Sequence, residues 1–274
     1  MHYLSLVDIV QDSLESETLV PNKTRLKPSV PSFSKYLVFT ILLSDSLFGG
    51  VDNYWLKLLH YKDGKSQIDD SSFFLSPTGK NSPKDELLAT LKSIQEGNPN
   101  DINSTQCLYP ARTRWLKEQL PKENIEECRD LDQHLKKFDF KTLYLVYASS
   151  YMNSPASMVG HTFLRFDKNE TTPLLSYALN YSAKIDKETD IFSYAYGGVF
   201  GGFEGRYTIA PYYEMVKLYS EMEHRDMWEY KLKLTSKEIE RAVLHMIEMQ
   251  RYYSLYYFNS ENCSYNLLWF IELA

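Results

Sequence analysis

Apolar positions recur with two different periods along this chain. Between residue 52 and about residue 135 they fall at helical spacing between turn residues. Trp55, Leu56, Leu58 and Leu59 open a first helix that should end near Gly64. Ser82-Pro83 opens a second, because proline is tolerated in a first turn where its missing N–H costs nothing. Leu87, Leu88, Leu91 and Ile94 form the stripe of that helix, and Gly97 stops it. Pro110 opens a third helix that runs through Arg112, Arg114, Trp115 and Leu116. These arginines suit pairing with phosphate or carboxylate groups, or an ordinary surface or domain-interface role. The charged run at 122–137 reads as a solvated face or a linker.

Further on the period shortens to two. Residues 143–148 read as a buried strand, and a loop holding Pro155 leads to the next. In that strand His161, Phe163 and Arg165 share one face, while Thr162, Leu164 and Phe166 share the other. A strand at 174–181, a helix at 212–223 and a strand at 228–234 follow. Thr235-Ser236-Lys237-Glu238 is a capping box with Leu234 and Ile239 as its staple. The helix it opens carries Ile239, Ala242, Val243, Met246 and Ile247 on one stripe. His245 lies off that stripe and is expected in solvent. The last segment, 263–271, is apolar nearly all round, as in a buried helix. Asn259, Ser260 and Asn262 are all capable caps, so it should start at or just before Cys263. The expected class is α+β. A small helical domain at 51–135 precedes a sheet-bearing domain at 136–274.

The first 50 residues form a leader. Residues 1–33 are polar, hold Pro21, Pro28 and Pro31, and should have little structure. Residues 35–50 run from Lys35 through an apolar stretch to small residues, which resembles a secretory signal peptide. The stretch is too short to span a bilayer. It is not at the terminus, so a core helix is the competing reading, and the signal-like one is preferred. A hydrophobic fraction of 43% supports a full core. The net charge of −6 gives no basic footprint for nucleic acid. With 22 Tyr the chain suits wide amphipathic surfaces such as grooves or membrane interfaces, although a Tyr-biased proteome would look the same. Of the three cysteines, Cys107 and Cys128 could pair in an oxidising compartment and leave Cys263 free.

Cys263 carries the candidate chemistry. First-turn N–H groups and the helix dipole favour an anion, so a thiol there should ionise easily. The competing reading is a small buried hydrophobe. Among six histidines, only His161 sits in a segment built around it. Gly160 beside it lets a backbone or a substrate approach closely. His224, Asp226 and Glu229 do not share metal-ligand spacing with a second histidine on one element, so no metal site is expected. Ser157 lacks the Gly-x-Ser-x-Gly elbow of a serine hydrolase. Residues 194–207 interleave five glycines with aromatics. They read as a mobile wall or lid over the site, or as a glycine-bulged hairpin with no ligand.

Gly160-His161-Thr162-Phe163-Leu164-Arg165-Phe166, Arg225-Asp226-Met227-Trp228-Glu229-Tyr230 and Glu261-Asn262-Cys263-Ser264-Tyr265 occur in this order. Together they resemble the Lnb N-terminal periplasmic domain family of bacterial envelope proteins, named for a lipoprotein N-acyltransferase. The His-then-Cys order is also similar to circularly permuted papain-like enzymes such as lecithin:retinol acyltransferase. The likeness covers roughly 140–274, and a weaker one to a helical domain that often precedes the family covers about 52–130. It implies a permuted papain-like (NlpC-type) antiparallel sheet with a central Cys-bearing helix. In such folds a third catalytic residue, on the strand after the His strand, orients the imidazole. Tyr177 and Asn180 are the polar candidates there, Asn180 is preferred, and either could instead be a structural hydrogen-bonder.

The resemblance implies catalysis by Cys263, His161 and Asn180 through a thioester. The acyl group would come from a phospholipid or a lipoprotein ester and pass to a lipoprotein amine or to water, with no metal or organic cofactor. Ser157, Gly160, Tyr177, Gly201, Gly202, Phe203 and Asn262 are expected to line the substrate site. The location implied is the periplasm or cell envelope, at a membrane surface. Two alternatives stand beside this. One is a peptidoglycan amidase or peptidase of the same fold, which would need a polar groove where a lipid needs an apolar one. The other is a non-catalytic envelope binding module, favoured if Cys263 is deeply buried and distant from His161.

Overall fold

The computed structural model describes residues 52–151, 160–168, 172–186 and 189–274. The leader, the signal-like segment and Ser157 lie outside the described residues. Helix α1 (Asn53–Leu58) is capped by Asp52, whose side chain accepts from the Tyr54 N–H. It does not run on to Gly64. His60 and Asp63 take positive φ, and the chain turns through Gly64 in a hairpin of β1 (Tyr61–Lys62) and β2 (Lys65–Ser66). Helix α2 (Pro83–Glu96) has the predicted Ser82 cap, the Gly97 stop and a buried Leu87–Leu91–Ile94 stripe. Short α3 (Thr105–Leu108) leads into α4 (Pro110–Gln119). The charged run is not a linker. It contains α5 (Leu131–Phe138) and buries Ile125, Leu131 and Phe138, because its few apolar residues all point inward. A disulfide joins Cys107 to Cys128 and ties this stretch to α3.

Six antiparallel strands form the sheet: β3 (Phe140–Ala148), β4 (His161–Lys168), β5 (Tyr177–Lys184), β6 (Phe203–Pro211), β7 (Met227–Lys231) and β8 (Tyr253–Tyr256). Their order is β7-β3-β4-β5-β6-β8. Helices α8 (Ser236–Met249) and α9 (Cys263–Leu273) pack on one face with the helical segment. The other face is covered by α7 (Tyr212–Val216), which continues into a π-helical turn at Lys217–Met222. Strand parity sorts the residues as predicted. Leu164 and Phe166 join the α8–α9 side, and Phe163 joins Met215 and Tyr219 on the α7 side. The architecture is α+β.

The glycine–aromatic segment is not a hairpin. Its first half is helix α6 (Ile191–Phe200), capped by Asp190 and closed by Gly201 in the left-handed region (φ 73°). Its second half is the start of β6. Gly198 sits where a Cβ would fall 2.2 Å from the Phe258 ring, so the glycine serves a close approach within the protein.

One hydrophobic core runs from Trp55 and Leu116 to Phe166 and Phe270, so the helical segment and the sheet share it. A buried ionic cluster crosses the same boundary. Arg112 Nη1 lies 2.7 Å from Glu86 Oε1, and the Arg112 N–H donates to Glu248 Oε1 at 2.9 Å. The guanidinium stacks between Phe73 and Tyr109. Arg112 thus pairs with carboxylates, as one reading had it, and does so at the domain boundary, as the other had it. His245, expected in solvent, is fully buried. The helical segment covers that face of α8, and His245 Nε2 meets His60 Nε2 at 2.9 Å. Such a pair shares a single ring proton, so one ring donates and the other accepts.

Two stability predictions follow from this cluster. Arg112→Met leaves two buried carboxylates unpaired and should cost about 3–5 kcal/mol in urea unfolding, since removing one partner of a buried pair strands the other. For the histidines, burial holds His60 well below its ordinary pKa, with His245 and Arg112 adding to the effect, and burial also lowers His245. The unfolded chain then binds protons that the native chain refuses. Stability is intact above about pH 6.5 and falls as pH drops below it, by up to about 1.4 kcal/mol per pH unit per histidine. Urea midpoints at pH 7.5 and 5.5 should therefore differ less in His245→Gln than in the native sequence.

Candidate active site

Strands β4 and β5 pair only over 164–166 and 177–179, whereas β3–β4 pairing continues to Ala148 and His161, and β5–β6 pairing to Lys184 and Glu204. The sheet therefore splits at the His161 end, and the N-terminus of α9 faces the split. Asn262 caps α9 by accepting from the Tyr265 N–H at 3.2 Å, and its amide donates to the Phe258 carbonyl. This fixes Cys263 as the first helical residue, with 8% of its surface exposed.

Burial and three groups act on the thiol. Burial pushes its pKa up. A hydrogen bond from the His161 ring and the charge of that ring pull it down, joined by hydrogen bonds from the Thr162 N–H and the Tyr256 hydroxyl. The balance holds Cys263 down to about 6. The Thr162 N–H is available because β5 has already left β4 at that point. His161 Nε2 donates to Asn180 Oδ1 at 2.5 Å, which leaves Nδ1 as the nitrogen that faces the sulfur. Tyr256 accepts the Cys263 N–H at 3.1 Å, and burial with the nearby thiol keeps its hydroxyl protonated. Its oxygen therefore touches both the backbone and the sulfur of the nucleophile. Ser264 and Thr162 share a hydrogen bond of 2.9 Å beside the thiol.

A cavity of about 360 Å³ opens over Cys263 and is lined by Gly160, His161, Ser182, Tyr219, Arg225 and Tyr256 among others. A second, of about 470 Å³, runs between β3 and α9 and is lined by Leu145, Tyr147, Leu267, Leu268 and Ile271. Ser264 lines both. Among the described residues no group of three or more His, Cys, Asp or Glu side chains converges as a metal site.

The family described as the Lnb N-terminal periplasmic domain matches residues 130–274, more than half of the sequence. The chain belongs to this family. Residues 51–119 match a second family, described as a domain of unknown function (DUF7843). No curated protein and no solved structure matches the chain. The three motifs that carry the Lnb likeness meet in space. Arg165 of the first forms an ion pair with Glu229 of the second, and Thr162 of the first bonds Ser264 of the third. The family is described as a periplasmic domain, which suggests an exported protein, and a Cys107–Cys128 disulfide suits an oxidising compartment. Among the described residues no helix is long and apolar enough to cross a membrane.

Of the predicted residues, Cys263, His161 and Asn180 come together, and Gly160 and Asn262 line the same cavity. Gly160 takes φ 80°, and a Cβ there would lie 2.5 Å from the Tyr147 hydroxyl, so the close neighbour is a side chain of this protein. Tyr177 is not in the site. It is three positions from Asn180, which puts it on the opposite face, against Phe138 and Phe140. Gly201, Gly202 and Phe203 do not line the cavity either. Gly202 N–H donates to the Gly197 carbonyl, and Phe203 packs on Tyr194. Their segment reaches the site through Phe258, whose N–H donates to the Gly198 carbonyl, and through the pairing of Phe203 with Tyr256. Tyr256 is the residue that sequence reasoning missed. Its spacing of seven from the nucleophile, with strand period before the cap, was the available signal.

Alkylation of Cys263 by iodoacetamide, localised by mass spectrometry, tests the geometry. The half-maximal rate should fall near pH 6 in the native sequence. In His161→Ala it should move to or above the free-thiol value of about 8.5. Asn180→Ala should leave the thiol reactive but shift its profile upward by less than His161→Ala does. An identical profile in all three proteins would exclude an activated pair.

Proposed function

We propose that the chain is a thiol acyltransferase of the cell envelope that works through a thioester on Cys263. The observation that carries the reading is the contact set of one thiol: His161, itself held by Asn180, together with Thr162 and Tyr256, beside an apolar groove. The chain order, with His161 on one strand, Asn180 on the next and Cys263 on a later helix, supports a circularly permuted papain-like fold. The His161 ring lines the same cavity as the thiol and pulls its pKa down, which argues against a non-catalytic module, for which the thiol would lie apart from the imidazole.

In the acylation step the Cys263 thiolate attacks an ester carbonyl and the C–S bond forms. Negative charge moves to the carbonyl oxygen. The Tyr256 O–H, which the sulfur no longer needs, is placed to receive it, while the Cys263 N–H stays on the Tyr256 oxygen and holds that hydroxyl in position. The C–O bond then breaks, and the departing alcohol takes the proton held by His161. In the second half an amine attacks the thioester, His161 accepts its proton, and the thiolate leaves. The groove of Leu145, Tyr147, Leu267, Leu268 and Ile271 begins at Ser264, next to the sulfur, and favours an acyl chain over a peptide stem.

The reading predicts that incubation with a short-chain phospholipid and a lipopeptide bearing a free N-terminal amine yields a mass gain of one acyl chain on the peptide. Cys263→Ala should abolish it. Tyr256→Phe should slow it by about 100-fold or more, as for loss of one oxyanion donor, while Cys263 remains alkylatable. Inertness toward both lipids and amines, with cleavage of peptidoglycan stem peptides instead, would overturn the proposal.

A further inference from the structure

The second family motif begins with Arg225, and the mechanism above does not use it. Arg225 follows His224, which takes the left-handed conformation (φ 53°) and turns the chain out of the π-helical segment. The Arg225 N–H donates to the Tyr219 carbonyl at 2.8 Å. Its guanidinium lies over the rings of Tyr219 and Tyr151, and only 7% of the residue is exposed. Nη2 pairs with Glu223 at 2.7 Å. Nε and Nη1 are buried and have no hydrogen-bond acceptor among the described residues. Arg225 and Glu223 line the same cavity as His161 and Cys263.

Buried guanidinium donors are ordinarily satisfied, so two nitrogens without acceptors on a residue that lines the cavity mark a place for an anion. An arginine cannot escape the cost by losing its proton. The Glu223 carboxylate neutralises part of the charge but reaches only Nη2, so the site retains N–H groups that match a group with several oxygens. The same cavity shares Ser264 with the apolar groove. A ligand that fills both has an anionic oxygen group within a few bonds of an acyl ester. We propose that Arg225 binds the phosphate diester of a glycerophospholipid acyl donor while its acyl chain lies in the groove. This deepens the acyltransferase reading and rests on it. A carboxylate would satisfy the same N–H groups, but a peptide stem has no chain for the groove.

The test is protection of Cys263 from iodoacetamide by unreactive ligands. The probes are a short-chain diether phosphatidylglycerol, the matching diether glycerol without phosphate, inorganic phosphate and a peptidoglycan stem tripeptide. In the native sequence the phosphate-bearing diether should protect at a concentration at least about tenfold lower than its phosphate-free counterpart. Arg225→Gln should abolish that difference, and Arg225→Lys should retain part of it. The ligand-free alkylation profile of both variants should stay at the native pH, which separates this proposal from the thiolate reading and reports that the site has folded. Equal protection by the two diethers, or selectivity that survives Arg225→Gln, overturns the assignment. Protection by inorganic phosphate as strong as by the lipid overturns the lipid source. Protection by the tripeptide in place of the lipid assigns Arg225 to a peptide carboxylate. Should Arg225→Gln lose the native profile, Arg225→Lys with the two diethers decides the question alone.

Discussion

Burial works against charge on Cys263, and the rest of the site follows from overcoming it. A thiol with so little solvent contact ionises only where fixed donors replace water. Here three donors come from two strands: the His161 ring and Thr162 N–H from β4, and the Tyr256 hydroxyl from β8. The Thr162 N–H is free because the sheet splits between β4 and β5. A fully paired sheet would use that amide in its ladder and would also close the cavity. The break in pairing is thus what admits both the thiol and the substrate.

The helical segment holds this arrangement from outside. The Asp69 side chain accepts the Leu255 N–H, and the N–H groups of Asp69 and Asp70 donate to the Tyr253 carbonyl, so β8 is gripped along the edge that carries Tyr256. Gln67 bonds both Glu261 and Tyr265, on either side of the nucleophile. The two family matches are therefore one mechanical unit. The segment described as a domain of unknown function fixes the loop and strand from which the other domain presents its thiol. The buried Glu86–Arg112–Glu248 cluster lies at the same boundary and allows few alternative dockings, because any shift strands a charge.

Local signals were legible wherever a short-range rule governed the outcome. The Ser82 and Thr235 caps, the Gly97 stop and the placement of Cys263 at a helix start each depend on residues within four positions. Asn180 was legible as one of two polar candidates; strand parity puts it and Tyr177 on opposite faces, and the fold decides which face meets His161. The failures needed contacts from far along the chain. His245 lies off the apolar stripe of α8, yet the helical segment buries it. Glycines at 197 and 198 argue against a helix, but the rings of Phe203 and Phe258 fill the space that side chains would have taken. Tyr256 stands in a run of tyrosines, and its spacing of seven from Cys263 places it on the strand before the cap without telling that its hydroxyl reaches the thiol.

Strand β7 shows how period two lets one short edge strand serve both faces of the sheet. Trp228 and Tyr230 are exposed and lie opposite Tyr147 and Leu145, the residues that line the apolar groove. Glu229 points the other way and holds Arg165 together with Tyr212, beneath α7. Shifting the register by one residue would exchange the two sets, placing a carboxylate at the mouth of the groove and an indole against a buried guanidinium. The ion pair of Arg165 with Glu229 therefore does more than join two motifs. It fixes the register that keeps the groove rim apolar, and the aromatic rings on that rim are of the amphipathic kind suited to a lipid–water boundary.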